Sequence, residues 1–244
     1  MDDFIEILKH SAESYFKNLA ILAFFSISFF LAVIIHRFSP MPTFVANGAV
    51  FLRTGSIPEM GVADIVLIVL SYIVSLILSS FGYVAVNLVI KTQRSGARLS
   101  SEVLAGIEKY TFSIFWLLLS AFLLSVIVSI ISFEYGLERI LTPLAAFIIS
   151  LAVFYAPAAI VIDERRPVRA IQTSLQLVAK KALYFVFWCL IAIAVLALLQ
   201  LIIYAIAPHN LATDILLFLN AVFLLPFLVV LQTQIFISKY TLLA

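Results

Sequence analysis

The stretch LYFVFWCLIAIAVLALLQLIIYAIA, residues 183–207, decides the fold. It holds no charged residue and a single amide, Gln200. As a helix it rises roughly 37 Å at about 1.5 Å per residue, enough to cross the ~30 Å hydrocarbon core of a bilayer. Five more runs of this kind lie at 16–37, 63–90, 111–133, 140–162 and 213–237. The 15 basic and 13 acidic residues of the 244-residue chain all fall outside these six runs or at their edges. A charge at mid-bilayer costs roughly 2.5–3.5 kcal/mol or more, whereas a soluble core imposes no such segment-by-segment segregation. Composition agrees, with 64% hydrophobic and 11% charged residues against roughly 45–50% and about 25% in soluble domains. The sequence therefore predicts an all-α, polytopic membrane helical bundle: six transmembrane helices in one integral membrane domain over 1–244. The loops left over are too short for a soluble domain. The second run is long and is expected to tilt or project. The first is expected to remain as a span and not to be cleaved as a signal peptide. It is too long, an acidic segment precedes it, and Ser39-Pro40-Met41-Pro42 lacks small-residue cleavage chemistry.

Basic residues set the expected topology. Lys9, Lys17, Lys91, Arg94, Arg98, Lys109, Arg165, Arg166, Arg169, Lys180, Lys181 and Lys239 fall on one side, and only Arg37, Arg53 and Arg139 on the other. Over loops this short the bias places the basic side, with both termini, in the cytoplasm of a cell membrane. The longest outer loop, about 39–60, contains Pro40, Pro42, Gly48, Gly55 and Pro58 and reads as irregular or as a short re-entrant cap.

The chain also matches itself at an offset of 72 residues. Tyr83 pairs with Tyr155, Val89-Ile90 with Val161-Ile162, Arg94 with Arg166, Lys109 with Lys181, and Phe115-Trp116 with Phe187-Trp188. Those are the only two tryptophans, so the match either marks a repeat or reflects one interfacial aromatic belt. The matching unit has a physical description: an amphipathic helix that leads into a helical hairpin. After the fourth run, Val168, Ile171, Leu175 and Val178 recur at helical spacing, with Arg169, Gln172, Thr173, Gln176 and Lys180 opposite. Pro167 suits the first turn of that helix. Leu99, Val103, Leu104 and Ile107 repeat the pattern after the second run. Phe4, Ile7, Leu8, Ser11 and Tyr15 do so at the amino terminus, where Asp3 and Glu6 resemble a capping box. Three parallel repeat units follow, about 1–90, 91–162 and 163–244.

The segment Ala159-Ile160-Val161-Ile162-Asp163-Glu164-Arg165-Arg166-Pro167-Val168-Arg169-Ala170-Ile171, continuing through Ser174-Leu175, carries a family resemblance. It is similar to the six-span membrane domain fused to some glycerophosphodiester phosphodiesterases, and to related prokaryotic membrane proteins of unknown function. The shared pattern is an apolar span with a proline (Pro157), an acidic residue near a basic or proline turn, and an Ala-x-x-x-Ser helix, here Ala170 to Ser174. The specific part covers about 30 residues of the chain; the six-span topology covers all of it. The resemblance implies the topology but no activity, because the phosphodiesterase chemistry belongs to a separate soluble barrel that this length excludes. It transfers no catalytic residue.

Candidates for chemistry are few. His10, His36 and His209 are scattered over both sides of the expected membrane and do not converge on a metal. The lone Cys189 sits in an apolar run and cannot form an intramolecular disulfide. Only seven glycines occur and no phosphate loop, His-Glu-x-x-His pair or nucleophile elbow is present, so neither an enzyme nor a cofactor is expected. The polar residues within the runs are neutral: among them Ser71, Ser75, Ser79, Asn87, Ser120, Ser125, Ser129, Ser150, Gln200, Asn220, Gln232 and Gln234. Two readings are open for them. Small side chains allow close helix packing, with hydroxyls bonded to their own helix, or Ser75, Ser79, Asn87, Gln200 and Asn220 line a cavity. Pro157 and Pro226 are expected to kink the fourth and sixth spans.

The remaining site is the basic cluster Arg94, Arg98, Lys109, Arg165, Arg166, Arg169, Lys180 and Lys181, a candidate surface for lipid headgroups. These cations also suffice simply to enforce topology, and pairing of Asp163 and Glu164 with Arg165 and Arg166 would weaken phosphate binding. The expected function is a non-enzymatic lipid-binding or scaffold module. The alternative is a transporter or permease component for a small neutral or amphipathic solute. Membrane lipids are the expected partners, nucleic acid is not, and a protein partner or homo-oligomer stays open.

Overall fold

The computed structural model describes residues 2–38, 61–95 and 99–238, with side-chain surroundings for 4–36, 61–93, 106–208 and 211–238. The outer loop 39–60 with Arg53, and also Arg98 and Lys239, lie outside the described residues, as do the side chains of Arg37, Arg94, Leu99, Val103, Leu104 and His209.

The chain begins with α1 (Asp2–Lys17), whose buried side carries Phe4, Ser11, Ser14 and Tyr15 while Lys9, Glu13 and Lys17 stay exposed. The helix already starts at Asp2, so Asp3 sits inside its first turn and not at the expected cap. A bend of 89° separates α1 from α2 (Leu19–Ile34), which ends in a 3-10 turn, Ile35–Phe38. Polar groups pin this corner to the neighbouring helix. Asn18 Nδ2 donates to Ser14 O at 2.9 Å and to Gln93 Oε1 at 3.2 Å, and the Ser14 hydroxyl donates to the same Gln93 oxygen.

Two long helices follow, α3 (Val62–Ser95, 34 residues) and α4 (Leu99–Glu134, 36 residues). The segment around 99–107, expected as a separate interfacial helix, is instead the first turns of α4. No proline interrupts it, and Gly106 stays helical where it packs against Leu88 so closely that an added Cβ would lie 2.7 Å from that side chain. A tight turn with Gly136 at φ +66° leads to α5 (Glu138–Phe154) and α6 (Ala156–Ile162). The chain continues as α7 (Pro167–Lys180), α8 (Ala182–Ile206), α9 (His209–Leu219), a π turn at Asn220–Leu224, and α10 (Leu225–Ile237).

Among the described residues, five stretches are long and apolar enough to cross a membrane: 62–93, 106–134, 138–162, 182–206 and 211–237. The bent pair α1–α2 makes a sixth if counted as one span. The chain is thus an all-α, multi-pass membrane protein. The regular α-helix is interrupted near both prolines: α5 stops at Phe154 with Pro157 in the next first turn, and the π turn precedes Pro226.

The core is concentrated at one end. Val84 to Ile90 on α3, Tyr155 to Val161 around α6, and Val229 to Ile237 on α10 are buried, and α1 and α7 close over them. This end also carries most of the described basic residues and is called the basic end below. At the far end, Leu67, Ile130, Ile148 and Leu201 are all half-exposed or more, and neither α5 nor α8 buries a residue.

Candidate functional site

The basic end is assembled around the break between α5 and α6. Pro157 has no N–H, so the helical ladder fails in the turn before it. The Ser174 hydroxyl from α7 fills the gap. It donates to Leu151 O at 2.9 Å and accepts from Tyr155 N–H at 2.9 Å, bridging the two groups that an unbroken helix would join directly. Ala170, one turn earlier on α7, is fully buried and lets α7 approach. The proline, the alanine and the serine of the sequence pattern therefore meet at one joint.

The chain leaves α6 through Asp163 and Glu164. Glu164 takes φ +54°, a left-handed conformation that costs a non-glycine residue about 1–2 kcal/mol. Two cations hold it there. Glu164 Oε1 lies 3.0 Å from Lys91 Nζ and Oε2 lies 2.7 Å from Lys109 Nζ, so α3, α4 and the α6–α7 turn are tied through one carboxylate. Lys91 Nζ also donates to Val161 O at 3.0 Å, satisfying a carbonyl at the end of α6. Both ammonium groups sit over the Tyr110 ring, at 5.6 and 4.9 Å from its centre. The hydrogen bond from Lys109 first, and then that from Lys91, hold the Glu164 carboxyl down at about 2.

This pairing divides the cluster read from the sequence. Lys109 is engaged by Glu164. Arg165 is exposed but engaged locally, its Nε 3.2 Å from Asp163 Oδ2 and its Nη1 donating to Thr173 Oγ1 at 2.6 Å. Lys181 donates to Ser238 Oγ at 2.7 Å and lies over the Tyr184 ring. Of the two acid–arginine pairs expected, Asp163 with Arg165 forms, whereas Glu164 reaches the lysines and not Arg166. Arg166, Arg169 and Lys180 are exposed and have no ion-pair or hydrogen-bond partner for their side chains among the described residues. Arg94 and Arg98 fall where side chains are not described.

The orientation of α7 also differs from its simplest amphipathic reading. The face against the protein is Ala170, Thr173, Ser174, Leu177 and Val178. Val168 is 69% and Leu175 43% exposed, although both belong to the apolar stripe, and Thr173, placed on the polar side by spacing, is buried. Close approach to the α5–α6 break needs small residues and a hydroxyl, so Ala170, Thr173 and Ser174 take the inner face beside Leu177 and Val178, and Val168 and Leu175 turn outward. The helix then has three faces: one packed, one exposed and apolar, and one exposed and cationic.

The intramembrane polar candidates do not converge. Asn87 is buried, donating to Tyr83 O at 2.7 Å and accepting from Thr233 Oγ1 at 2.8 Å, which joins α3 to α10. Ser75 donates across to Ala32 O of α2 at 2.8 Å. Ser79 is half-buried, and Gln200 and Asn220 are exposed. The hydroxyls of Ser71, Ser120, Ser125, Ser129 and Ser150 bond to carbonyls of their own helices. A cavity of about 290 Å³ lies elsewhere, between α3, α4, α5, α8 and α10, with Tyr83, Ser150, Pro157, Trp188 and Gln232 in its wall. Sequence spacing missed it because it takes one or a few residues from each helix. Its one sequence-level sign is that Tyr83 and Trp188 both belong to the 72-residue match. Among the described residues no group of three or more His, Cys, Asp or Glu could hold a metal.

Comparison of the chain with protein-family models, with curated proteins and with solved structures finds no match.

Proposed function

We propose that this chain is a non-enzymatic membrane protein that acts as a lipid-binding or scaffold module, with its basic end in the cytoplasm and α7 lying among anionic headgroups. The observation that carries the reading is the row Arg166, Arg169 and Lys180, exposed and free of acidic partners among the described residues, beside the exposed apolar Val168 and Leu175. From Arg169 to Lys180 the row extends roughly 16 Å along the helix at about 1.5 Å per residue. That length suits several headgroups of a leaflet better than one phosphate. Each cation near an anionic surface contributes about 1 kcal/mol, less at high salt. The positive-inside bias supports the orientation, and the likeness of 159–175 to the six-span domains named above belongs to the same proposal.

The test is the triple substitution Arg166→Gln, Arg169→Gln and Lys180→Gln, with co-purifying anionic phospholipid quantified by native mass spectrometry. A clear fall in retained anionic lipid is expected, with phosphatidylcholine unaffected. Equal retention of anionic lipid by wild type and variant would remove the basis of the reading. A second reading, a transporter or permease component for a small neutral or amphipathic solute, draws support from the cavity at Tyr83 and Gln232 in place of the seam expected from Ser75 to Asn220. Solute-dependent protection of a cysteine placed at Ser150 would favour it.

A further inference from the structure

The cavity between α3, α4, α5, α8 and α10 has a chemical bias that its volume alone does not convey. Gln232 in its wall is only 7% exposed, and its amide has no hydrogen-bond partner among the described residues. An amide in hydrocarbon without partners costs on the order of 1–3 kcal/mol by the standard of protein mutations. Tyr83, also in the wall, meets Phe29 with its ring, and its hydroxyl has no partner among the described residues either. The other polar groups nearby are already engaged: Trp188 Nε1 donates to Leu228 O at 2.9 Å and Ser150 to Ala146 O at 2.7 Å. Among the described residues no charged one lines the space. A charged ligand would therefore be left uncompensated at this depth, whereas an uncharged one with both a donor and an acceptor would complete the Gln232 amide.

Depth narrows the class further. Gln232 lies five residues before the end of α10, Pro157 five before the end of α6, and Trp188 six after the start of α8. At about 1.5 Å per residue these are all roughly 7–9 Å below the basic end, and Tyr83, one helical turn beyond the Asn87 that bonds Thr233, is about 6 Å deeper. The former depth is about where the headgroup layer gives way to hydrocarbon, and where the ester and hydroxyl groups of a glyceride reside. Ala121 and Ile149, deeper in the cavity, are apolar, and beyond them the far end offers exposed aliphatic side chains along which a chain can lie.

We propose that this cavity binds an uncharged amphiphile of the acylglycerol class, with its hydroxyl or ester carbonyl on Gln232 and its acyl chain directed past Tyr83 toward the far end. The site is separate from the cationic row on α7, and its occupancy depends neither on headgroup binding nor on solute transport.

The test uses Trp188 as reporter in a Trp116→Phe background, with the full chain in phosphatidylcholine nanodiscs. The titrant is a monoacylglycerol whose chain is brominated near the ester, at carbons 6 and 7. Specific binding gives saturable quenching at low mole fraction. Gln232→Leu is expected to raise the half-saturation point by about three- to tenfold, the range for one lost hydrogen bond. Ala121→Phe, which fills the cavity without touching the amide, should abolish the saturable phase. Three results would each overturn the proposal: quenching that rises only linearly in the wild type, saturation that both variants leave unchanged, or equal saturation by a phosphatidylglycerol brominated at the same carbons.

Discussion

The two ends of this bundle are built from the same aliphatic residues yet packed in opposite ways. At the basic end Val86, Val89 and Ile90 of α3 and Val230, Leu231 and Ile235 of α10 are sealed from their surroundings. At the far end Leu67, Ile130 and Leu201 are half-exposed or more. Hydrophobicity cannot explain the difference, because lipid tails solvate a leucine as well as another leucine does. What distinguishes the basic end is small residues and polar bonds between helices. Ala85, Ala156, Ala159 and Ala170 are fully buried, Gly82 and Gly106 admit neighbours to contact, and the bridges through Ser174, Asn87, Gln93 and Glu164 all lie there. In a bilayer, helices associate where backbones can come close and where polar groups gain partners.

The contrast can be broken most severely at the α5–α6 joint. Ser174→Val keeps the bulk of the side chain but leaves Leu151 O and Tyr155 N–H buried without their bridge. A loss of about 2–6 kcal/mol is expected, at roughly 1–3 kcal/mol for each of the two orphaned groups, read as earlier unfolding in an SDS titration. Next is Gly82→Ala, whose Cβ would lie 2.7 Å from the Phe29 ring and from Ser28 Oγ. Overpacking here should cost about 1–3 kcal/mol and lower the thermal midpoint in detergent; an unchanged midpoint would mean that α2 and α3 are not in close contact. Asn87→Leu removes the α3–α10 bond, while Thr233 keeps its own bond to Val229 O at 2.7 Å. Its expected cost is about 1 kcal/mol, within the ~0.6–1.7 found for interhelical bonds in membranes.

A smaller effect sharpens the electrostatic side of the comparison. The Glu164 carboxyl is held from 4.5 down to about 2, so its charged form is favoured in the folded state. The resulting stability is complete above about 4.5, the ordinary value, and is lost as pH falls from there through about 2. Because the carboxylate is half-exposed, it should amount to only ~0–1 kcal/mol. Glu164→Gln should flatten the pH dependence of stability in that window and leave pH 7 to 8 nearly untouched. Smallest of all, Ile193→Ala at the exposed face of α8 should change stability by less than about 0.5 kcal/mol. A large loss there would show that the far end is covered by another protein surface and not by lipid.

Some of the site was legible before the structure and some was not. Pro157 announced a break, and Ala170 and Ser174 recurred in a recognisable pattern, but nothing in their spacing says that the Ser174 hydroxyl enters the gap 19 residues upstream at Tyr155. Arg166, Arg169 and Lys180 were visible as cations. That they alone of the described part of the cluster lack partners depended on Glu164 reaching Lys91 and Lys109, which are 73 and 55 residues away. Val168 and Leu175 were read correctly as an apolar stripe of α7, but which face meets the protein could not be inferred. The face that packs joins Leu177 and Val178 to the small residues Ala170, Thr173 and Ser174, so Val178 of the apolar stripe turns inward while Val168 and Leu175 stay outside.

From the amino-acid order alone came the membrane itself: runs such as 183–207 are apolar over a length that water cannot tolerate exposed, and transfer free energy accumulates residue by residue with no need of neighbours. The structure alone decided which polar groups find each other, where the bundle is tight, and where it leaves a cavity. Those outcomes depend on the rotation and approach of helices far apart in the chain, set by glycines, alanines and a few hydrogen bonds whose partners no local pattern names.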